Sequence, residues 1–243
     1  MPNFLRLDFT ITNWAAWAPG LTTQDAWRAW AAAPPVAPLG TETPPLTEVP
    51  PMARRRLEKL GRPAFQVAQW CQGDAKGMPL IFASRHGDPG RGADLLTSLA
   101  KNEPLSPASF ALSVHNAVAA QYSIIRGDTS NVSAIANGLF TLEAAMMEAA
   151  GHLADGQPEV MVVNYDAGPP AIYASHYDEP YSDFAYAWRI TKGNQFSLED
   201  AEVPPSKSTA VPHGLSVLRF VLGNEPSYAR ADQTAGWRWS RHA

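Results

Sequence analysis

Residues 139–153 read LFTLEAAMMEAAGHL, with only Thr141, Glu143, Glu148 and His152 interrupting an otherwise apolar or small-residue segment. A helix with so little polar face is normally buried on all sides. It is too short and too charged to span a bilayer. The apolar run VSAIA at 132–136 and the pair Asn137-Gly138 precede it directly. The stretch therefore predicts a short strand, a tight turn and a central helix in a layered α/β structure.

The rest of the chain supplies further layers. Apolar runs at 78–84 (MPLIFAS) and 159–165 (EVMVVNY) have the composition of strands buried on both faces. Alternation predicts strands at 4–12 and 185–191, and the aromatic tail GWRWSRHA predicts a terminal strand. Helical spacing predicts helices at 25–33, 52–73, 94–101, 110–125 and 214–222. In the second of these, Leu57, Leu60, Ala64, Val67 and Cys71 share a face, and Pro63 marks a kink or a true start. Residues 34–51 and 193–213 have no periodicity and are expected to be loops. Arg126-Gly127-Asp128 fits a helix C-cap and turn. The expected fold is α/β, a mixed, mostly parallel five-stranded sheet with helices on both faces. It forms a single domain over 1–243, with a core at about 52–192 and a C-terminal extension, 193–243, packed on it.

Composition narrows the function. With 243 residues, net charge −4 and 17% charged residues, the chain is expected to be globular and soluble, without a basic nucleic-acid surface. No secretory leader or membrane span is recognisable, and the single cysteine fits a reducing compartment, so the expected location is the cytoplasm. Cys71 lies on an apolar helical face and reads as a buried, inert thiol. The six histidines show no metal-ligand spacing, and neither a metal nor a cofactor is expected. His176, Asp178, Glu179 and Asp183, interleaved with Tyr173, Tyr177 and Tyr181, fit a surface loop with tyrosines beneath it better than a cation site. His115-Asn116, inside the helix expected at 110–125, fits a satisfied buried polar pair. The glycine-rich RHGDPGRG at 85–92 lacks the lysine and spacing of a phosphate loop and fits a strand-to-helix turn.

The pattern SP-x-x-F-x-x-SVHNA, from Ser106 to Ala117, followed by a glycine, a short strand, a turn and a small-residue helix, resembles the N-terminal half of β-ketoacyl synthases over residues 52–168. With the N-terminal strand and the arginine-rich Arg54-Arg55-Arg56, it is similar in particular to the short β-ketoacyl synthase chain length factors of aryl polyene biosynthesis. The resemblance implies a thiolase-like half-fold. It also places the nucleophilic cysteine of active condensing enzymes at or beside Leu139, where a leucine cannot attack a thioester. The chain shows no counterpart of the C-terminal half that supplies two catalytic histidines.

The resemblance thus implies a non-catalytic subunit that shapes the acyl tunnel and stabilises a catalytic ketosynthase, forming a heterodimer, with acyl carrier protein as a further partner. In that fold dimers form by antiparallel pairing of the short strand, here Val132, Ser133, Ala134, Ile135 and Ala136, flanked by His115 and Asn116. Phe110, Val114 and Phe140 are the candidate tunnel residues. Two alternatives compete. One is a homodimeric acyl-binding module. The other is a stand-alone acyltransferase or thioesterase using His115, Asn116 and the 176–183 loop. The central helix, lacking its usual second layer, needs cover either from the C-terminal segment or from a partner.

Overall fold

The computed structural model describes residues 6–206 and 209–242. The elements, in chain order, are β1 Arg6–Trp17, α1 Gln24–Ala32, α2 Pro51–Arg54, α3 Gly61–Gln72, β2 Leu80–Ala83, α4 Pro89–Ala100, α5 Pro107–Ala111 and α6 Ala117–Arg126. They continue with β3 Val132–Ile135, α7 Thr141–Ala154, β4 Val160–Asp166, β5 Phe184–Lys192, β6 Phe196–Asp200, α8 His213–Leu222, β7 Ser227–Ala231 and β8 Gly236–Arg241. Single 3-10 turns lie at Gly138–Phe140 and Ala171–His176. The expected start of the first strand, at residues 4 and 5, lies outside the described residues.

All the strands join one eight-stranded sheet in the order β3-β2-β4-β5-β1-β6-β8-β7. Only β2–β3 and β2–β4 are parallel; the other pairings are antiparallel. The sheet is thus mixed, as expected, but the expectation of five mostly parallel strands is corrected. The reason lies in the connections. A parallel neighbour needs a crossover element. Between β4 and β5 the chain has only a 3-10 turn, so it folds back and pairs antiparallel, with Val162 opposite Trp188. β1 then sits in the middle of the sheet, between β5 and β6.

Side chains alternate between two cores. Val160 and Val162 face the layer that holds α7, α8 and α1, while Met161, Val163 and Tyr165 face α3 and α6. β1 changes parity on the way. Leu7 and Phe9 point to the α7–α8 side, and after a register shift between Ile11 and Asn13 that side receives Ala16 and Ala18. A bulge of this kind supplies the extra residue and keeps both halves of a long strand in register with the core.

Several expected boundaries move. The helix expected at 52–73 is α2 and α3 with a break between them, and Pro63 falls in the first turn of α3, where its missing N–H costs nothing. The helix expected at 110–125 is broken at residues 112–116, so His115 and Asn116 lie between α5 and α6 rather than inside a helix. α4 begins at Pro89, earlier than expected, because Asp88 accepts a capping bond from the Arg91 N–H at 3.0 Å. Gly127 ends α6 in the left-handed conformation at φ 55°, the C-cap expected for that tripeptide. Residues 193–213 contain β6, whose Phe196 and Leu198 are buried. The segment 193–243 contributes three strands and α8 to the fold.

α7 is buried through Leu142, Glu143, Ala145, Met146, Ala149 and Leu153, and shares its core with Leu215, Leu218, Phe220 and Trp239. Its own C-terminal segment therefore supplies cover. The helix is not buried all round, since Glu148, Gly151 and Ala154 are exposed. Small residues on that stripe lose little by facing water.

Candidate functional site

The head of α7 lies where β2 and β4 end. Gly138 takes φ 54°, a left-handed turn that a side chain disfavours, and leads into the 3-10 turn that carries Leu139. The Thr141 hydroxyl accepts from the Asn137 N–H and donates to the Gly138 carbonyl, both at 2.8 Å, which fixes this entry. Leu139 lines a cavity of about 40 Å³ together with Asn164 and Asp166 from the end of β4, Tyr177 and Tyr181 from the β4–β5 connection, and His213 from the start of α8.

Two polar networks surround this cavity. The first lies beneath it. Glu143 is fully buried one turn into α7, and its Oε1 accepts from the His213 imidazole Nε2 at 2.8 Å and from the Trp239 indole N–H at 2.9 Å. The second imidazole nitrogen faces the Tyr228 hydroxyl at 3.1 Å. Both ring nitrogens of His213 are thereby engaged, and the ring is set to brace α7 against α8, β7 and β8 rather than to take a proton from a substrate. Glu143 Oε2 is buried with no partner among the described residues.

The second network rims the cavity. Asp166 accepts from the Ser84 hydroxyl at 2.8 Å and from the Arg85 N–H at 3.0 Å. Burial outweighs these bonds and the nearby Arg85 charge, and pushes its carboxyl up to about 6. Arg85 reaches across to Asp178 at 2.8 Å and Glu179 at 3.0 Å. Glu179 in turn accepts from the His213 backbone N–H at 3.1 Å. Burial and the Arg85 charge hold the His86 pKa below its usual value. The Asn164 amide oxygen, 3% exposed as a residue, has no partner among the described residues.

The remaining candidates are dispersed. Val132, Ser133, Ala134 and Ile135 form β3, the end strand of the sheet, all four partly exposed; Ala136 follows it and is exposed. The Ser133 hydroxyl donates to Glu148 on α7 at 3.0 Å. His115 is half-buried, with Nε2 2.8 Å from the Ser84 carbonyl, and Asn116 is exposed at the start of α6. Phe110 and Val114 are exposed, whereas Phe140 is buried edge-on to the His213 ring, 5.6 Å between centroids. Cys71 is buried in the other core, between α3 and the sheet, and burial pushes its thiol up to about 12. Of the 176–183 cluster, Asp178 and Glu179 are matched by Arg85, and Asp183 by Lys59 at 2.7 Å. Among the described residues no group of three or more His, Cys, Asp or Glu could hold a metal ion, and no helix is long and apolar enough to cross a membrane.

Sequence reasoning overlooked Glu143, Asp166 and Arg85 as members of a site. The signal for Glu143 was present, since an acidic residue inside an apolar helix needs a buried partner.

A mixed sheet packed between helical layers, with a cavity at the head of a buried helix, defines a thiolase-like α/β protein of the ketosynthase type. A family model described as the β-ketoacyl synthase N-terminal domain matches residues 27–240, and the chain belongs to that family. Among solved structures, a chain from the complex of the ketosynthase ApeO with its chain length factor ApeC from Xenorhabdus doucetiae is 28% identical. That match has a TM-score of 0.88 and covers 97% of this chain and 100% of that one. The ishigamide ketosynthase/chain length factor matches at 13% identity and TM-score 0.64, over 80% of this chain and 67% of that one. The AntDE:AntF complex, a type II polyketide synthase carrier protein with its ketosynthase, matches at 9% identity and TM-score 0.66, over 98% and 100%. The last two show shared fold alone. No curated protein matches the chain.

Proposed function

We propose that this chain is the non-catalytic, chain-length-factor subunit of a heterodimeric β-ketoacyl-[acyl carrier protein] synthase of the aryl polyene type. The observation that carries the reading is Leu139. An apolar side chain stands at the head of α7, lining the cavity, and the only cysteine of the chain is buried on the opposite side of the sheet. A thiolate placed at a helix N-terminus would be activated there, and no such group is available. The match at 28% identity over the whole of a chain from a ketosynthase–chain length factor complex supports the same reading.

The partner pairs through β3. Its outer edge pairs no strand among the described residues, and an open edge is a template for another chain. On the family resemblance, His115 and Asn116 are assigned to the flank of that contact, and Phe110 and Val114, both exposed in this chain, to the acyl tunnel. Phe140, buried against His213, acts on the tunnel only by holding the α7 entry in shape. Carrier protein delivers chains to the assembled pair in the cytoplasm.

The test is co-expression with a full-length ketosynthase from the same organism, followed by size exclusion and a condensation assay. Co-elution is expected, with ketosynthase activity that depends on this subunit. Ala134→Lys, which places a charge on the open edge, should abolish co-elution and leave the fold of the isolated chain intact. Separate elution of the wild-type proteins, with ketosynthase activity indifferent to this chain, overturns the reading. So does self-acylation of the purified chain.

A further inference from the structure

Residues 169–182 leave the sheet at the end of β4 and return at the start of β5. The base of this excursion is pinned. The Gly168 N–H donates to Asp183 at 2.7 Å, Asp183 pairs with Lys59 at 2.7 Å, and the Ser182 hydroxyl donates to the Pro38 carbonyl at 2.5 Å. A compact segment with its two ends held together is an Ω-loop, a form in which the body can move while the base stays fixed.

The body lies over the cavity. Tyr177, Pro180 and Tyr181 line one side, opposite Leu139, Leu142 and Asn164. Two acidic side chains of the body, Asp178 and Glu179, fasten it to the rest of the protein. Arg85, in the turn after β2, bridges Asp178 at 2.8 Å and Glu179 at 3.0 Å, and Glu179 carries the connection on to the His213 N–H at 3.1 Å and to Arg230 at 3.4 Å. Elsewhere the loop has little to hold it. Its 3-10 turn buries no residue, and Ile172 is 70% exposed. Low burial and few backbone bonds are the features of segments that open before the rest of a protein does.

We propose that residues 169–182 form a lid over the cavity at the head of α7, and that Arg85 is its latch through Asp178 and Glu179. Lifting the lid uncovers Leu139, Leu142 and the unpartnered Asn164 amide oxygen in one step, and leaves the base at Gly168–Asp183 closed. The proposal is independent of the partner reading above.

The lid is coupled to pH. Asp166 lies beneath the latch, faced by Ser84, Arg85 and His86 from the turn after β2, by Tyr177 from the lid, and by Tyr186 from β5. Opening admits water to this carboxyl and returns it toward its ordinary value of 3.8 from about 6. A carboxyl that is harder to ionise in the closed form disfavours closure once it is ionised. Opening therefore becomes easier as pH rises through about 6.

Chymotrypsin tests this on the full chain, because Tyr173, Tyr177 and Tyr181 all lie in the lid and cleavage reports the open population. Cleavage is mapped by mass and normalised at each pH to an unstructured tyrosine peptide. The paired substitution Asp178→Asn with Glu179→Gln removes the latch charges and leaves Arg85 and the turn after β2 in place. It should speed cleavage at these tyrosines by about tenfold or more, with Tyr165 and Tyr186 in β4 and β5 still protected. Wild-type cleavage should rise between about pH 5 and pH 7, and Asp166→Asn should remove that rise. Three results overturn the proposal: a wild-type lid cut as fast as the paired variant, a variant that loses β4 and β5 protection together with the lid, or wild-type cleavage that does not change with pH.

Discussion

Asp166→Asn separates the energetic cost of a buried charge from the value of the hydrogen bonds around it. The native carboxyl is raised from 3.8 to about 6, so the folded state holds a proton that the unfolded state has already released across that interval. The stability contributed by the protonated form is present in full below about pH 4 and is lost as pH rises through about 6. At ~1.4 kcal/mol per pKa unit, two units correspond to about 3 kcal/mol at pH 7. Asp166 is partly exposed, so solvent lowers this to about 2 kcal/mol. Asparagine keeps an oxygen to accept from Ser84 and from the Arg85 and His86 backbone, and it never ionises. The variant should therefore match wild type near pH 4 and exceed it at pH 7 by about 2 kcal/mol, or about 4–8 °C in Tm for a chain of this length. Urea unfolding followed by circular dichroism across pH 4–8 measures the gap directly. A gap that stays constant with pH, or a variant less stable at pH 7 than at pH 4 relative to wild type, refutes the reasoning.

Three further outcomes are expected. Glu143→Ala strips His213 and Trp239 of their shared acceptor inside the core and should cost about 3–5 kcal/mol in chemical unfolding; Glu143→Gln, which keeps the accepting oxygen, should cost less. Cys71 should resist thiol reagents at neutral pH in the folded chain and react fully in denaturant, because burial keeps it a thiol; rapid labelling of native protein would contradict its placement. Gly193→Ala should destabilise the β1–β5–β6 region by about 1–3 kcal/mol, since a Cβ there would overlap the Thr10 side chain, and Thr10→Ala should recover part of the loss in a double-mutant cycle.

What the sequence disclosed, and what it withheld, follows from which interactions are local. The buried strands at 78–84 and 159–165 and the helix at 139–153 announce themselves because their burial is continuous along the chain. The face Leu57–Cys71 was legible for the same reason, with four of its five residues inside α3 or just before it and all five buried. The break at 112–116 was not. Its residues are helix-compatible in composition, and what interrupts them is His115 turning to the Ser84 carbonyl, a contact made 31 positions away. β6 has the sequence character of a loop because Phe196 and Leu198 are too few for a periodicity; pairing with β1 and β8 makes the strand. The rim of the cavity was hidden likewise, since Arg85 meets Asp178 and Glu179 across more than ninety residues.

Glu143 shows most plainly how a sequence states a requirement without naming what meets it. An ionisable group in the middle of an apolar helix must find donors, and here they arrive from His213 and Trp239, 70 and 96 positions later. Those two residues lie in the segment that adds α8, β7 and β8 to the fold, so the group that anchors this segment sits on the helix it covers. That arrangement bears on the proposed partner. The helix expected to need cover obtains much of it from its own chain, so the apolar face of α7 is already occupied by Leu215, Leu218 and Phe220. A ketosynthase that docks on this chain must therefore take hold elsewhere. The unpaired edge of β3, with its row of unused backbone donors and acceptors, is a surface where association satisfies groups that folding alone leaves to water.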